Sequence, residues 1–374
     1  MMSRASFVEI DRRALVHNVD VLKRRAGGAR VLAVVKADGY GHGAITAAEA
    51  AIEAGVDGLC VALVQEGVEL RRAGIEAPVL VLSEQPLEQV GELVAHGLVA
   101  TAYSTRYIDA LAEEARRHDV SGHEVHLKID TGMNRVGCRP ADATELAGRI
   151  LARSPHLMLG GVFTHLATAD DPDATETNRQ LDRFDGALTE LRHAGIDPGF
   201  VHAANSAATI AHPRAHYDLV RVGIALYGIP PDASMASSCR ELRPALTLRS
   251  RVSYVKRVNA GEGVSYGLRH RFDRPTTVAT VPIGYADGVP RHAGLTGGTV
   301  LIGGAHRPIV GVVTMDQLVV DCGDDAVRVD DDVVLIGRQG EAEITANDWA
   351  GLGGTIGYEI VCGLSRRLPR RAIG

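Results

Sequence analysis

Eight short apolar runs, each followed by a stretch of helical periodicity, fill roughly the first 230 residues and constrain the fold more than any other feature of the chain. They are Val31–Val35, Gly58–Ala62, Val79–Leu82, Leu98–Ala102, Glu124–Ile129, Leu159–Thr164, Phe200–Ala203 and Leu219–Val222. Between the sixth and seventh, Leu181, Phe184, Leu188 and Leu191 mark one helix face after a start signal at Asp170-Asp171-Pro172-Asp173. Strands alternating with helices demand crossover connections and hence a parallel sheet, and eight such units predict a closed (β/α)8 barrel. A doubly wound open sheet would carry a G-x-G-x-x-G turn after its first strand, and none is found there. At 374 residues the chain exceeds one ordinary core, so a second, smaller domain is expected.

That second domain is written in a different texture. After about residue 240, Leu246–Val258, Thr276–Ile283, Thr299–Ile302, Ile309–Thr314, Leu318–Asp321 and Val333–Ile336 are β-rich segments separated by glycine turns. Helical period is sparse until the Asn347–Leu352 region. The class is therefore α/β: a TIM-type barrel over 11–240, then a predominantly β domain over 241–374. The opening segment Ser6–Ile10, within residues 1–10, is expected to pair with the β domain. With 40 basic against 46 acidic residues the net charge is −6, which lacks the basic footprint of a nucleic-acid binder. No apolar stretch reaches the length of a membrane span, and the N-terminus has no signal-peptide core. Five cysteines, odd in number and without metal-ligand spacing, suit reduced thiols in the cytoplasm and leave no metal site to propose.

In a barrel of this kind, chemistry sits at the carboxyl ends of the strands. Lys36 ends the first strand, Lys128, Asp130 and Arg135 lie at and just after the fifth, and His165 ends the sixth. His202, Asn205 and Ser206 follow the seventh, and Arg221 lies near the end of the eighth. A lone lysine at a strand end is usually solvated, and a lone histidine is usually a satisfied core residue. Nine such residues at the ends of five strands, all on one rim, are harder to assign to packing. Lys36 opens into Ala37-Asp38-Gly39-Tyr40-Gly41-His42-Gly43, whose glycines allow close backbone approach to a ligand. Desolvation there would depress the ammonium pKa and favour the neutral amine that attacks an aldehyde. Asn205-Ser206 reads as a helix cap, equally a plain cap or, with the backbone of Gly223 and Ile224, a seat for phosphate.

The run Val34–Gly43 resembles the pyridoxal-phosphate attachment signature of alanine racemases. Further segments extend the resemblance over nearly the whole chain: His126–Arg135, Thr164-His165, His202–Ser206, Arg221-Val222-Gly223, Val264–Gly267, Gly284–Gly288, Met315-Asp316 and Gly357-Tyr358-Glu359. Gly357 departs from the family, where asparagine is frequent. The resemblance implies pyridoxal 5'-phosphate as cofactor, alanine as substrate, and a head-to-tail homodimer in which Lys36 and the partner subunit's Tyr266 are the two catalytic bases. It also implies that His165, Tyr40, Tyr358, Asn205, Ser206, Gly223 and Ile224 hold the cofactor and that Arg221, oriented by His202, faces its ring nitrogen. Arg135 and the backbone of Met315, beside Asp316, would bind the substrate carboxylate, and Tyr285 would narrow the entrance. Lys128 would be carbamylated and so able to hold Arg135. The biological role implied is D-alanine supply for cell-wall precursors. A serine-preferring or broader racemase stays open on the residues alone. A pyridoxal-dependent decarboxylase is disfavoured by Arg221 and Tyr266, and a non-enzymatic cofactor carrier by residues 241–374.

Overall fold

The computed structural model describes residues 4–374, which form two compact units. One comprises Leu15–Gly39 and Ala44–Arg243; the other comprises residues 4–14, Tyr40–Gly43 and Pro244–Gly374. Counting strands from Phe7–Asp11 (β1), which belongs to the second of these, the barrel strands follow in order. They are β2 (Arg30–Val34), β3 (Gly58–Val61), β4 (Val79–Val81), β5 (Ala100–Ala102), β6 (His123–Lys128), β7 (Leu157–Phe163), β8 (Phe200–His202) and β9 (Leu219–Val222). All pair in parallel, in the order β4-β3-β2-β9-β8-β7-β6-β5. The two ends of that path meet at a parallel bridge between Leu80 and Val99, where the Val81 amide donates to the Val99 carbonyl at 3.0 Å. Closure leaves no strand edge exposed.

Eight segments expected to be strands therefore become the eight staves of the barrel, with ends shifted by a residue or two. The helix Thr175–His193 buries Leu181, Phe184, Leu188 and Leu191, the stripe its period predicts. What departs from an ordinary barrel is the interior. Successive side chains of a strand point to opposite faces, so on β6 Glu124, His126 and Lys128 share a face, with His126 and Lys128 both buried. Polar groups occupy positions that barrels generally fill with branched aliphatics. Inside a closed barrel that is costly unless each group finds a partner.

In the other unit, the main sheet runs Ala305–Pro308, Thr299–Ile302, Asp332–Gln339, Leu246–Arg251, β1 and Arg370–Ile373, with Ala342–Ile344 on the Asp332–Gln339 strand. The opening strand lies between two others, antiparallel to Leu246–Arg251 and parallel to Arg370–Ile373. A second sheet holds Tyr254–Val258, Thr276–Val281 and Leu318–Gly323. Two expectations are corrected. Leu246–Val258 is two strands in two sheets, broken at Val252-Ser253. Ile309–Thr314 is not a strand; only Ile309 makes an isolated bridge, to Val320, and the paired segment is Ala305–Pro308 just before it. No helix of the described residues is long and apolar enough to cross a membrane.

Candidate active site

Arg221 is buried near the end of β9 and donates from both of its terminal nitrogens. Nη1 reaches His202 Nδ1 at 2.7 Å. Nη2 reaches the carbonyls of Thr164 (2.9 Å) and Ala203 (3.2 Å) and His165 Nδ1 at 3.3 Å. No carboxylate pairs with it among the described residues. Burial lowers its pKa to about 10, and guanidinium remains charged there. Because an arginine can only donate, both imidazole Nδ1 atoms must be acceptors, which puts the proton of each ring on Nε2. Burial first, then Arg221, holds the pKa of His202 and of His165 well below the ordinary histidine value, so both rings are neutral at pH 7. Nε2–H of His165 is thus left as a donor.

Phe163, at the end of β7, organises the floor of this cluster. Its ring stacks on His202 at 4.6 Å and 6°. The Arg221 guanidinium stands 5.1 Å and the Lys128 ammonium 5.3 Å from its centroid. Aromatic faces attract cations, which offsets part of the cost of burying two positive charges together. Among the described residues Lys128 otherwise finds only the Leu82 carbonyl, at 3.5 Å. Its pKa falls to about 7, through burial first and then repulsion from Arg221 and Arg135, with Asp130 opposing. Arg135 is exposed on a loop folded by Asp130, whose carboxylate accepts from the amides of Gly132 (2.9 Å) and Asn134 (3.1 Å).

Lys36 leaves β2 half-buried, and its charge is felt at Lys128, His165 and Cys60. Behind it the backbone turns left-handed over four residues, with φ of 52° at Ala37, 53° at Asp38, 60° at Gly39 and 53° at Tyr40. For a residue with a Cβ each such φ costs ~1–2 kcal/mol. The turn is braced: Glu66 accepts from the Ala37 amide at 2.6 Å and from Ala62 at 2.8 Å, and Asp38 accepts from the Ala44 amide at 3.0 Å. Strain held this firmly beside a reactive group type marks a functional turn.

Asn205 caps the helix Ser206–Ala211, accepting from Ala208 at 3.0 Å. Ser206 Oγ accepts from the amides of Gly223 (2.8 Å) and Ala225 (3.3 Å), so its own hydroxyl proton is left to donate. The Gly223 amide is thereby engaged with a side chain. In the other unit, Tyr40 and Tyr358 face each other with ring centroids 6.0 Å apart. Asp316 pairs with Arg367 at 2.7 Å, Met315 is exposed, and the Met315 carbonyl accepts from Ala286, the neighbour of Tyr285, at 3.1 Å. Tyr266 is 72% exposed, more than any other large apolar or aromatic side chain of the described residues. It sits between Ser265 at φ 60° and Gly267 at φ 75°.

The structure thus gathers Lys36, Lys128, His165, His202, Asn205, Ser206, Gly223 and Arg221 at one end of the barrel, while Tyr40, Tyr266, Tyr285, Met315, Asp316 and Tyr358 belong to the other unit. Sequence reasoning missed Phe163, Glu66, Glu124 and the part played by His126. Phe163 reads as one more apolar strand residue, and the carboxylates read as surface positions. Only the alternation Glu124-x-His126-x-Lys128 on a strand assigned to a barrel interior was a usable signal.

Two family profiles match the chain, "Alanine racemase, N-terminal domain" over residues 10–231 and "Alanine racemase, C-terminal domain" over 245–372. An alanine racemase of Symbiobacterium thermophilum is 51% identical over 368 residues, covering 98% of this chain and 97% of its own. That of Thermobifida fusca is 44% identical over 375 residues, covering 99% and 98%. Among solved structures, the alanine racemase of D-cycloserine-producing Streptomyces lavendulae superposes with a TM-score of 0.95 at 39% identity, covering 100% of this chain and 98% of that one. The Bacillus anthracis alanine racemase with bound L-Ala-P gives 0.93 at 37%, covering 100% and 96%. With the barrel, the β domain and the strand-end cluster in place over the full length of these relatives, the chain belongs to the alanine racemase family.

Proposed function

We propose that this chain interconverts L- and D-alanine with pyridoxal 5'-phosphate held at Lys36, as a cytoplasmic homodimer that supplies D-alanine. The observation that carries the reading is the charge of the cluster. Lys128 and Arg221 stand 5.3 and 5.1 Å from the same Phe163 ring, Lys36 ends the strand beside that of Arg221, and among the described residues Asp130 is the one carboxylate that registers at Lys128. Cations confined together call for an anionic ligand. A phosphorylated, phenolic aldehyde fits: one amine to bind it, hydroxyl and amide donors for phosphate, and a guanidinium for a ring nitrogen. When bound, that cofactor supplies the electron delocalisation that makes an amino acid's α-proton removable.

The rest is done by the chain. Arg221 cannot accept a proton or surrender its own at pH 7, so it donates to the ring nitrogen without protonating it, which weakens the electron sink and disfavours competing reactions. Lys36 Nζ moves the α-proton on one face and the hydroxyl of the partner subunit's Tyr266 moves it on the other. His165, neutral with its proton on Nε2, is a donor able to stabilise that phenolate, whose ordinary pKa of ~10 makes it a poor base unaided. Ser206 would donate a hydrogen bond from its hydroxyl to phosphate, with Asn205, Ile224, Tyr40 and Tyr358 completing that end; the Gly223 amide, engaged by Ser206 Oγ, would hold that hydroxyl in place instead of meeting the phosphate itself. Met315 and Arg135 take the substrate carboxylate, Asp316 steadies the Met315 loop, and Tyr285 lies at the entrance. Lys128, with its pKa near 7, is about half neutral at pH 7 and so offers the free amine that carbon dioxide requires, which supports a carbamate at Nζ holding Arg135. We assign the cofactor to the barrel, residues 11–240, and Tyr266 to the domain 241–374, with residues 1–10 as its added strand.

Purified protein given L-alanine and pyridoxal phosphate is expected to produce D-alanine to a near-equal mixture by chiral chromatography. Absence of D-alanine with cofactor demonstrably bound would overturn the assignment.

A further inference from the structure

The proton position deduced for His202 propagates. With its Nδ1 accepting from Arg221, Nε2 must carry the proton, and it lies 2.8 Å from His126 Nδ1. His126 Nδ1 is then an acceptor and its Nε2 the donor, 3.0 Å from Glu124 Oε1. A guanidinium, which only donates, fixes one terminus; a carboxylate, which only accepts when ionised, fixes the other. Both demand the same direction, and the intermediate rings have one tautomer each. Glu124 is ionised at neutral pH, since the hydrogen bond from His126 holds its carboxyl below the usual range.

The path is built into the sheet. β6 and β7 slip register between Val125 and His126, so that His126 sits opposite Gly161. A Cβ at Gly160 would lie 2.3 Å from Glu124 Cγ, and one at Gly161 would lie 2.8 Å from the His126 ring and 2.6 Å from the Phe200 carbonyl. Two consecutive glycines and a bulge clear space for these two side chains. Glu124 and His126 then border a cavity of about 140 Å³ beside Arg30, Asp57 and Phe200, near the amino ends of the strands, whereas Arg221 ends β9.

We propose that Glu124 is a remote positioning residue for Arg221, acting through His126 and His202 as a chain of fixed tautomers along the barrel interior. The proposal rests on the racemase reading above for what Arg221 does, though not for the tautomers themselves. Without an acceptor at Glu124, His126 can place its proton on Nδ1. His202 Nε2 must then accept, and its Nδ1–H meets the Nη1–H of Arg221, donor against donor. The guanidinium is pushed from the ring nitrogen it faces.

The test is two-bond ¹H–¹⁵N NMR on full-length, ¹⁵N-histidine-labelled protein saturated with pyridoxal phosphate, the two rings assigned through His126→Gln and His202→Gln. The wild type is expected to show Nε2–H for both. Glu124→Leu should mix the tautomers, lower kcat about tenfold with KM for alanine within about twofold, and shift the bound cofactor's visible absorbance. The scale is that seen when the partner fixing a ligating histidine's tautomer is lost. Glu124→Gln, whose amide oxygen still accepts, should recover most of both. Nδ1–H on His202 in the wild type, unchanged tautomers in Glu124→Leu, or a Gln variant as impaired as the Leu variant would each overturn it. If Glu124→Leu does not fold, the wild-type tautomers and the Gln variant decide. A protein that shows these tautomers but makes no D-alanine would sink the racemase reading and leave the relay standing.

Discussion

Lys128 states the electrostatic problem of the site in one residue. It is 5% exposed, has one weak carbonyl partner, and lies near Arg221 and Arg135. Its folded pKa of about 7 is below the unfolded value of ~10.4, so the unfolded chain binds more protons between those limits and stability rises with pH across that window. Below about pH 7 both states are protonated and the full penalty of the buried charge is present. Lys128→Met should therefore raise the Tm of cofactor-free protein in CO2-depleted buffer, most at pH 6 and progressively less towards pH 10, because it replaces an uncompensated ammonium with an apolar chain of similar length. The same variant should lose activity. Equal Tm changes at both pH values would refute the assignment. Lys36→Ala should abolish both turnover and the bound cofactor's visible absorbance. Tyr266→Phe should keep that absorbance while lowering kcat by ~10²–10⁴, the usual reach of general base catalysis.

At the scale of elements, the turn after β2 makes a prediction that ordinary propensity would reverse. Ala37 holds φ 52°, so glycine there relieves ~1–2 kcal/mol of Cβ strain against up to ~1 kcal/mol of added unfolded-state entropy. Ala37→Gly should leave the Tm unchanged or higher, whereas Ala47→Gly, fully buried in the helix Ala44–Glu53, should cost about 1 kcal/mol or more. Thermal melts of the two variants side by side decide it; a comparable loss in both would show that the left-handed turn carries no strain. This turn also shows where sequence ceases to be readable. Gly39, Gly41 and Gly43 were legible as sites of close backbone approach, and Asp38 is of a type that tolerates positive φ, but Ala37 and Tyr40 adopt it without any local signal, because bracing by Glu66 and Asp38 enforces it. Continuous apolar runs alternating with stretches of period 3.6 placed all eight barrel strands, and with them the positions of Lys36, His165, His202 and Arg221. Arg370–Ile373 was invisible for the opposite reason: mostly exposed and arginine-rich, it is extended only because β1 offers it an edge.

For the whole molecule, the question is what covers Tyr266. A ring 72% exposed beside the left-handed Ser265 suits the proposed homodimer, in which it would enter the partner subunit's site. The proposed homodimer with two-fold symmetry makes each interface contribution reciprocal: if one subunit lends Tyr266 to its partner's Lys36, it receives the partner's Tyr266 in return. That reciprocity has an arithmetic consequence. Lys36→Ala and Tyr266→Phe homodimers each have two defective sites. In a mixed dimer, one site combines both defects, and the other combines the intact Lys36 of the phenylalanine variant with the intact Tyr266 of the alanine variant. Random reassociation makes about half of all dimers mixed, each with one working site of two, so the mixture should recover about one quarter of wild-type activity from two nearly inactive parents. Activity should appear only after subunit exchange, under mild denaturant or by co-expression, and should track the mixed fraction when differently tagged subunits are separated. If Lys36 and Tyr266 of one site came from the same chain, no mixture of these variants could restore it, and the recovered activity would be nil at every ratio.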